Sequence, residues 1–164
     1  MAPTIHAQLN FLQQEVRQRL KDNTDTCAVL LTADFRKIDD GFYICSLLDY
    51  LDLHELGFSR KKLPSKYSSS HMWVNRQKGF VIKVPFIASV DKRTPKAAVP
   101  HRTVRVSQLT KCPERPVIMI QPLVDISHQK TAAKELARRY SDDHRDLHPG
   151  NTGHFQGKAV FLDW

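Results

Sequence analysis

The chain has 164 residues, a length that suits one compact domain or a small core domain with an extension, and is too short for two full domains. Hydrophobic residues make up 41% of it and the mean hydropathy is −0.43, which is ordinary for a globular protein and does not indicate burial in a membrane. The formal net charge of +8 favours anionic partners, but charge alone leaves nucleotide phosphates, nucleic acid and an acidic protein surface open.

The N-terminal third of the chain is predicted to be helical. Apolar residues spaced by three or four predict an amphipathic helix over residues 4–22. We expect this helix to pack against the core, with binding of a partner as its alternative role. A second helix is predicted over 41–54, and the run 26–31 is ambiguous between a strand and a buried helix. In this interpretation residues 1–56 form a helical N-terminal extension.

The character of the sequence changes near residue 66, where short β-branched and aromatic runs alternate with turn formers, as in an antiparallel sheet. The predicted strands are 72–74, 80–84, 103–106 and 117–120. A turn around Gly79 joins the first two as a hairpin. The proline-rich segment 85–101 is predicted to be a loop with at most one short helical turn.

A further helix is predicted over 127–141, with Ser127 as its N-cap. A loop follows it, and a glycine-bounded turn then predicts a terminal hairpin. The predicted fold class is therefore α+β, with an antiparallel sheet, few helices and a helical N-terminal extension.

The N-terminus, the hydropathy and the cysteines indicate the cellular compartment of the protein but not its chemistry. The N-terminus lacks the features of a signal peptide, and no apolar run approaches the roughly twenty residues of a spanning helix. We therefore expect a cytoplasmic protein with no membrane partner. Three widely spaced cysteines without a Cys-x-x-Cys pair indicate reduced thiols rather than disulfides or a zinc ribbon.

The most informative pattern lies in residues 144–164. It contains Asp146, Asn151 and Asp163, and carboxylate and amide oxygens are suitable ligands for Mg²⁺. An alternative is that Asp146 and Asn151 are only turn formers, since Asp and Asn are common in loops. That alternative does not explain why they occur at this spacing together with His144 and Asp163. A zinc site built from the nearby histidines is the less favoured alternative, because proline and glycine separate them.

These residues resemble the eukaryotic-like protein kinase superfamily. Residues 146–151 are similar to the catalytic loop of its aminoglycoside, lipopolysaccharide-core and RIO-like branches. Lys83 resembles the strand lysine of the kinase V-A-I-K pattern, and 117–123 resembles the strand that enters the hinge. The shortened core behind a helical arm is most similar to the early-gene Ser/Thr kinases of short-tailed phages. The resemblance covers residues 57–164 and implies a truncated kinase-like fold with a much reduced helical C-lobe.

The resemblance implies a role for each residue of the pattern. Asp146 would be the catalytic base or orient the substrate hydroxyl, Asn151 and Asp163 would hold magnesium, and Lys83 would bind the phosphates of ATP. The other implied nucleotide contacts lie in the loop before the second strand and in the hinge: Ser68, Ser69, Ser70, Gln121 and Leu123.

The sequence also departs from the kinase pattern. Between Lys83 and the hinge-like strand the only glutamate is Glu114, beside prolines, so no helix glutamate is predicted to pair with Lys83. The loop 68–71 has no glycine, which limits how closely its backbone can approach a phosphate. The sequence given ends at Trp164, before an activation segment, so we expect substrate recognition through the N-terminal arm or the basic sheet surface.

The implied function is ATP- and Mg²⁺-dependent phosphoryl transfer to a hydroxyl, by a serine/threonine-protein kinase acting on host proteins in a bacterial cytoplasm. An acidic protein substrate or target would suit the net charge. The alternative is a degenerate kinase-like binding module that inhibits or scaffolds a host protein. Nucleic acid is disfavoured as a partner because no groove-reading motif is present. The oligomeric state is left open.

Overall fold

A computed structural model of the chain describes residues 3–23, 53–61, 71–84, 94–105, 117–140, 147 and 149–162. Its helices are α1 (Ile5–Asp22) and α2 (Gln129–Arg139), with short 3₁₀ turns at Leu53–Leu56 and Pro149–Asn151. Its strands are β1 (Ser59–Lys61), β2 (His71–Asn75), β3 (Phe80–Val84), β4 (Arg102–Arg105), β5 (Val117–Pro122), β6 (Thr152–Phe155) and β7 (Lys158–Phe161). The predicted α+β class is confirmed.

Five strands form one antiparallel sheet in the order β1-β2-β3-β5-β4. The predicted hairpin of β2 and β3 is confirmed, with Trp73 opposite Ile82 and a turn that ends at Gly79. Strand β5 then crosses back beside β3, so that Ile120 lies opposite Ile82. Strands β6 and β7 form a separate two-stranded sheet, in agreement with the predicted terminal hairpin.

Helix α1 covers one face of the large sheet. Side chains alternate between the two faces of a strand, so every second residue of each strand points towards α1. The apolar residues on this face of β2 to β5 form one core with residues of α1 and of the segment 53–58: Leu9, Leu12, Val16, Leu20, Leu53, Phe58, Trp73, Phe80, Ile82, Val104, Ile118 and Ile120. The predicted packing of this helix against the core is confirmed. Among the described residues, neither helix is both long and apolar enough to cross a membrane.

Helix α2 packs on the β6–β7 hairpin and forms a second, smaller core. Ala132 and Leu136 on the helix are buried against Ala159 and Phe161 on β7. Strand β7 also pairs on its other side with the extended segment 97–99, through hydrogen bonds of 2.9 and 3.0 Å on either side of Phe161. The hairpin is thereby joined both to α2 and to the segment that leads into β4.

Several local predictions differ from the structure. Strand β1 was not predicted, because its three residues lack alternating apolar side chains. Ser127 is not the N-cap of α2: its backbone amide and hydroxyl both donate to Asp125 in a turn, and the cap is His128. The predicted helix 41–54 lies outside the described residues except for its last two, which are in a 3₁₀ turn.

We predict that Gly57 tolerates alanine worse than Gly79 does. Both have positive φ, +88° and +77°, so either substitution should cost about 1–2 kcal/mol from backbone strain. A Cβ at Gly57 would also lie 2.7 Å from Nδ2 of the buried Asn75, whereas at Gly79 it would meet nothing within 4 Å. Displacing Asn75 would break its 3.1 Å bond to the Leu56 carbonyl, which should cost about 1–3 kcal/mol more. Chemical denaturation of the two variants measures the difference, and equal losses would contradict this account.

Candidate functional site

Lys83 lies on β3 and points to the face of the sheet opposite α1. Its side chain is 4% exposed, and its ammonium donates to the carbonyl oxygen of Leu162 at 2.6 Å. A buried ammonium is tolerated only where hydrogen bonds replace its hydration. This bond spans 79 residues of sequence and connects the large sheet to the end of β7.

Gln121 on the neighbouring strand β5 reaches the same carbonyl. Its side-chain amide donates to the Leu162 oxygen at 2.9 Å and lies 3.0 Å from the sulfur of Met119. The register of the sheet explains the convergence, because Lys83 lies opposite Met119 while Gln121 lies opposite Val81, on the same face. One main-chain carbonyl thus accepts from a charged and a neutral donor on adjacent strands.

Leu162 is also held through its amide, which donates to the backbone carbonyl of Asn151 at 2.8 Å. Asn151 itself is buried, with 7% of its surface exposed, at the end of a 3₁₀ turn. The residue that precedes Asp163 in sequence is therefore fixed by Asn151 on one side and by the Lys83 and Gln121 side chains on the other.

The turn that carries Asn151 is tied to the start of α2. The hydroxyl of the fully buried Thr152 lies 3.0 Å from the main-chain carbonyls of both Pro149 and Gln129, and the side-chain amide of Gln129 donates back to the Thr152 main-chain carbonyl at 2.9 Å. These hydrogen bonds hold the turn against the start of α2. The helix therefore positions Asn151 through polar contacts of the neighbouring Thr152.

Three of the predicted site residues therefore meet around Leu162: Lys83, Gln121 and Asn151. Leu123 is elsewhere, with its side chain 38% exposed and its amide donating to the Gly79 carbonyl at 2.8 Å. The remaining predicted residues, Ser68, Ser69, Ser70, Asp146 and Asp163, lie outside the described residues.

His101 is a residue of this region that sequence reasoning missed. It lies just before β4, and its Nδ1 is 2.8 Å from the Val99 carbonyl, which makes Nδ1 the donor in the neutral tautomer. Burial lowers the pKa of His101, and the positive charges of Arg102 and Lys83 lower it further, while the bond to Val99 acts in the opposite direction. No signal in the sequence distinguishes this histidine from the other seven.

Of the two predicted metal ligands, Asn151 is among the described residues. Within those residues no group of three or more His, Cys, Asp or Glu side chains is arranged to hold a metal ion. A buried amide beside the segment that leads to Asp163 suits a divalent cation in its donor chemistry. The carboxylate that would complete this predicted pair of ligands is that of Asp163.

A groove of about 590 Å³ opens on the other face of the sheet. It lies between the start of α1 and the β2–β3 turn, and apolar side chains including Phe11, Phe58 and Phe80 line it. Because Phe80 and Lys83 point to opposite faces of β3, this groove is separate from the region around Leu162.

No protein-family model matches the chain, and no curated protein and no solved structure matches it. Function is therefore inferred from the residues and from their geometry.

We predict that His101 makes the folded protein less stable in mild acid. The pKa of His101 in the folded protein is below its ordinary value of 6.5. Between these two pKa values the folded state therefore binds fewer protons than the unfolded state. The stabilisation is present above that ordinary value and is lost as the pH falls through the lower pKa of the fold. Denaturation from about pH 7.5 to about pH 5.5 should show a smaller loss in His101→Gln than in wild type.

The matched control is His54→Gln, since His54 is exposed on the 3₁₀ turn at Leu53–Leu56. This control should lose stability with falling pH as wild type does. An NMR titration that gives His101 a pKa at or above 6.5 would contradict the prediction.

Proposed function

We propose that the chain is an ATP- and Mg²⁺-dependent phosphotransferase that acts on a hydroxyl, with serine or threonine of a protein as the acceptor. The proposed site comprises Lys83 for the phosphates, Asp146 for the acceptor hydroxyl, and Asn151 and Asp163 for the metal. These assignments come from the kinase-like spacing of the sequence.

The observation that supports the proposal most is the meeting of Lys83 and Asn151 at Leu162. The lysine bonds to the Leu162 carbonyl at 2.6 Å, and the Asn151 carbonyl accepts from the Leu162 amide at 2.8 Å. Leu162 is the residue directly before Asp163. Lys83 and Asn151, which are far apart in sequence and which phosphoryl transfer would require together, therefore both bond to the residue that precedes Asp163.

The position of Lys83 is a second support. Among the described residues it lies on the third strand of a five-stranded antiparallel sheet, and protein kinases carry their phosphate-binding lysine on the third strand. In phosphoryl transfer the protein contributes mainly positioning and charge stabilisation. A buried lysine fixed by the sheet would supply a positive charge at a constant place.

The runner-up, a kinase-like binding module without catalysis, is favoured by two contacts. The Lys83 ammonium already has a main-chain carbonyl as a partner at 2.6 Å, and the Leu123 amide, which would face adenine in a kinase hinge, is bonded to Gly79 at 2.8 Å. Nucleotide binding would have to replace or accommodate both bonds.

Transfer of labelled γ-phosphate to a mixed Ser/Thr acceptor separates the two functions. We predict that Asp146→Asn, Asp163→Asn and Lys83→Met each reduce the rate by about 100-fold or more, because each removes a group that contacts the reacting phosphate, its metal or the acceptor. The exposed Lys78→Met should remain within about twofold of wild type.

Circular dichroism of each variant tests whether the fold persists, which matters most for the buried Lys83. Because Asp146→Asn keeps the shape of the side chain, it decides the outcome if Lys83→Met does not fold. Equal transfer by wild type and Asp146→Asn would overturn the enzymatic proposal and leave the binding module.

A further inference from the structure

The exposed side of α2 carries a row of positive charges. Lys130, Lys134 and Arg138 recur every four residues, and all three are exposed. Each lies two positions from Ala132 or Leu136, which corresponds to about 200° around the helix and so to the side opposite the buried one. We call these three residues the basic stripe.

The basic stripe is electrostatically unfavourable for an isolated helix. Like charges at i and i+4 repel each other, and Lys130 lies in the first turn, where the helix dipole disfavours a cation, whereas Arg138 lies in the last turn, where the dipole favours one. That turn has no acidic residue, and the His128 side chain does not cap it. Within the described structure, none of the three cations makes an ion pair or a hydrogen bond.

The helix keeps its position in spite of this repulsion because other contacts hold it. Ala132 and Leu136 are buried against β7, and Gln129 exchanges hydrogen bonds with Thr152. Its one acidic residue, Glu135, lies 3.7 Å from His154, off the stripe. An anionic partner lying along the stripe would remove both sources of repulsion.

The helix that carries the stripe packs against the hairpin next to the candidate site. Leu162 directly follows that hairpin, and in the sequence α2 is followed by the segment that contains Asp146. A segment bound along α2 would therefore lie on the same unit as the proposed site.

We propose that the basic stripe is a docking surface for an extended acidic segment of the protein substrate. Successive cations lie about 6 Å apart along the helix axis. Alternate residues of an extended chain are about 6.6 Å apart, so carboxylates at every second position match that spacing. Delivery of a nearby hydroxyl rests on the proposed function, whereas the binding itself does not.

Protein fits this surface better than nucleic acid does. Binding of single strands commonly adds aromatic platforms on which bases stack. Among the described residues, the large apolar side chains that are exposed are Phe11, Leu123 and Ile126, and none is on α2. The stripe therefore offers charge without a stacking surface.

The test measures binding of a fluorescein-labelled peptide of alternating Glu and Ser to the full chain by anisotropy, without ATP. We expect Lys130→Glu/Lys134→Glu to weaken binding by at least about fivefold. The matched control, Arg76→Glu/Lys78→Glu, reverses two exposed cations on the β2–β3 turn and changes the net charge equally. It should remain within about twofold of wild type.

If the reversed variant does not fold, Lys130→Gln/Lys134→Gln takes its place, with an expected weakening of about threefold. Equal weakening in stripe and control variants would overturn the proposal, since it would show only an effect of net charge. The proposal would also be overturned if single-stranded DNA displaced the labelled peptide at a lower concentration than unlabelled peptide does and required the same lysines. That result would assign the stripe to nucleic acid.

The same binding measurement on Asp146→Asn separates the two proposals. Loss of phosphoryl transfer with peptide binding retained would leave the docking surface standing while the enzymatic role fails. Peptide phosphorylation that is unaffected by charge reversal of the stripe, while peptide binding is weakened, would overturn delivery of the hydroxyl by the docking surface and leave the binding itself standing.

Discussion

The hydrogen bond from the buried Lys83 ammonium to the Leu162 carbonyl is the contact that the arrangement of this protein depends on most. A charged group that is 4% exposed needs hydrogen-bond partners within the fold, and the Leu162 carbonyl, 79 residues away in sequence, is one of them. Gln121 shares the acceptor, and Asn151 fixes the amide of the same residue. The large sheet and the β6–β7 hairpin are therefore held in one orientation by polar groups whose desolvation would be costly if they separated.

The two faces of the large sheet make different kinds of contact. One face is filled by α1 and contributes apolar side chains such as Trp73 and Ile82 to the main core, which supplies the hydrophobic stabilisation. The opposite face carries Lys83 and Gln121, whose polar ends meet the hairpin. This separation is possible because side chains alternate between the two faces along β3 and β5. One residue packs in the apolar core and the next points to the polar contacts with the hairpin. A polar site can thus be buried without interrupting the apolar core.

Sequence reasoning predicted those parts of the fold that depend on local periodicity. The spacing in α1 and the β2–β3 hairpin were predicted closely, because each buries one face in a regular pattern. Strand β1 was missed, since its place at the edge is set by pairing with β2 and not by its own composition. The pairing of 97–99 with β7, and with it the surroundings of His101, depends on contacts distant in sequence that no local pattern encodes. The resemblance to kinases indicated Lys83 and Asn151, whereas their connection through Leu162 is visible only in the structure.

The central claim is that Lys83, Gln121 and Leu162 border a nucleotide site, and NMR during a titration with Mg²⁺-ATP tests it most directly. Nucleotide that contacts Lys83 should perturb its bond to the Leu162 carbonyl, because a phosphate oxygen is a stronger acceptor than a neutral carbonyl. The account predicts that the Lys83 side-chain signal, the Gln121 side-chain amide and the Leu162 backbone amide shift together and saturate at one concentration. Unchanged signals from these three residues at nucleotide concentrations that saturate any other part of the chain would contradict it.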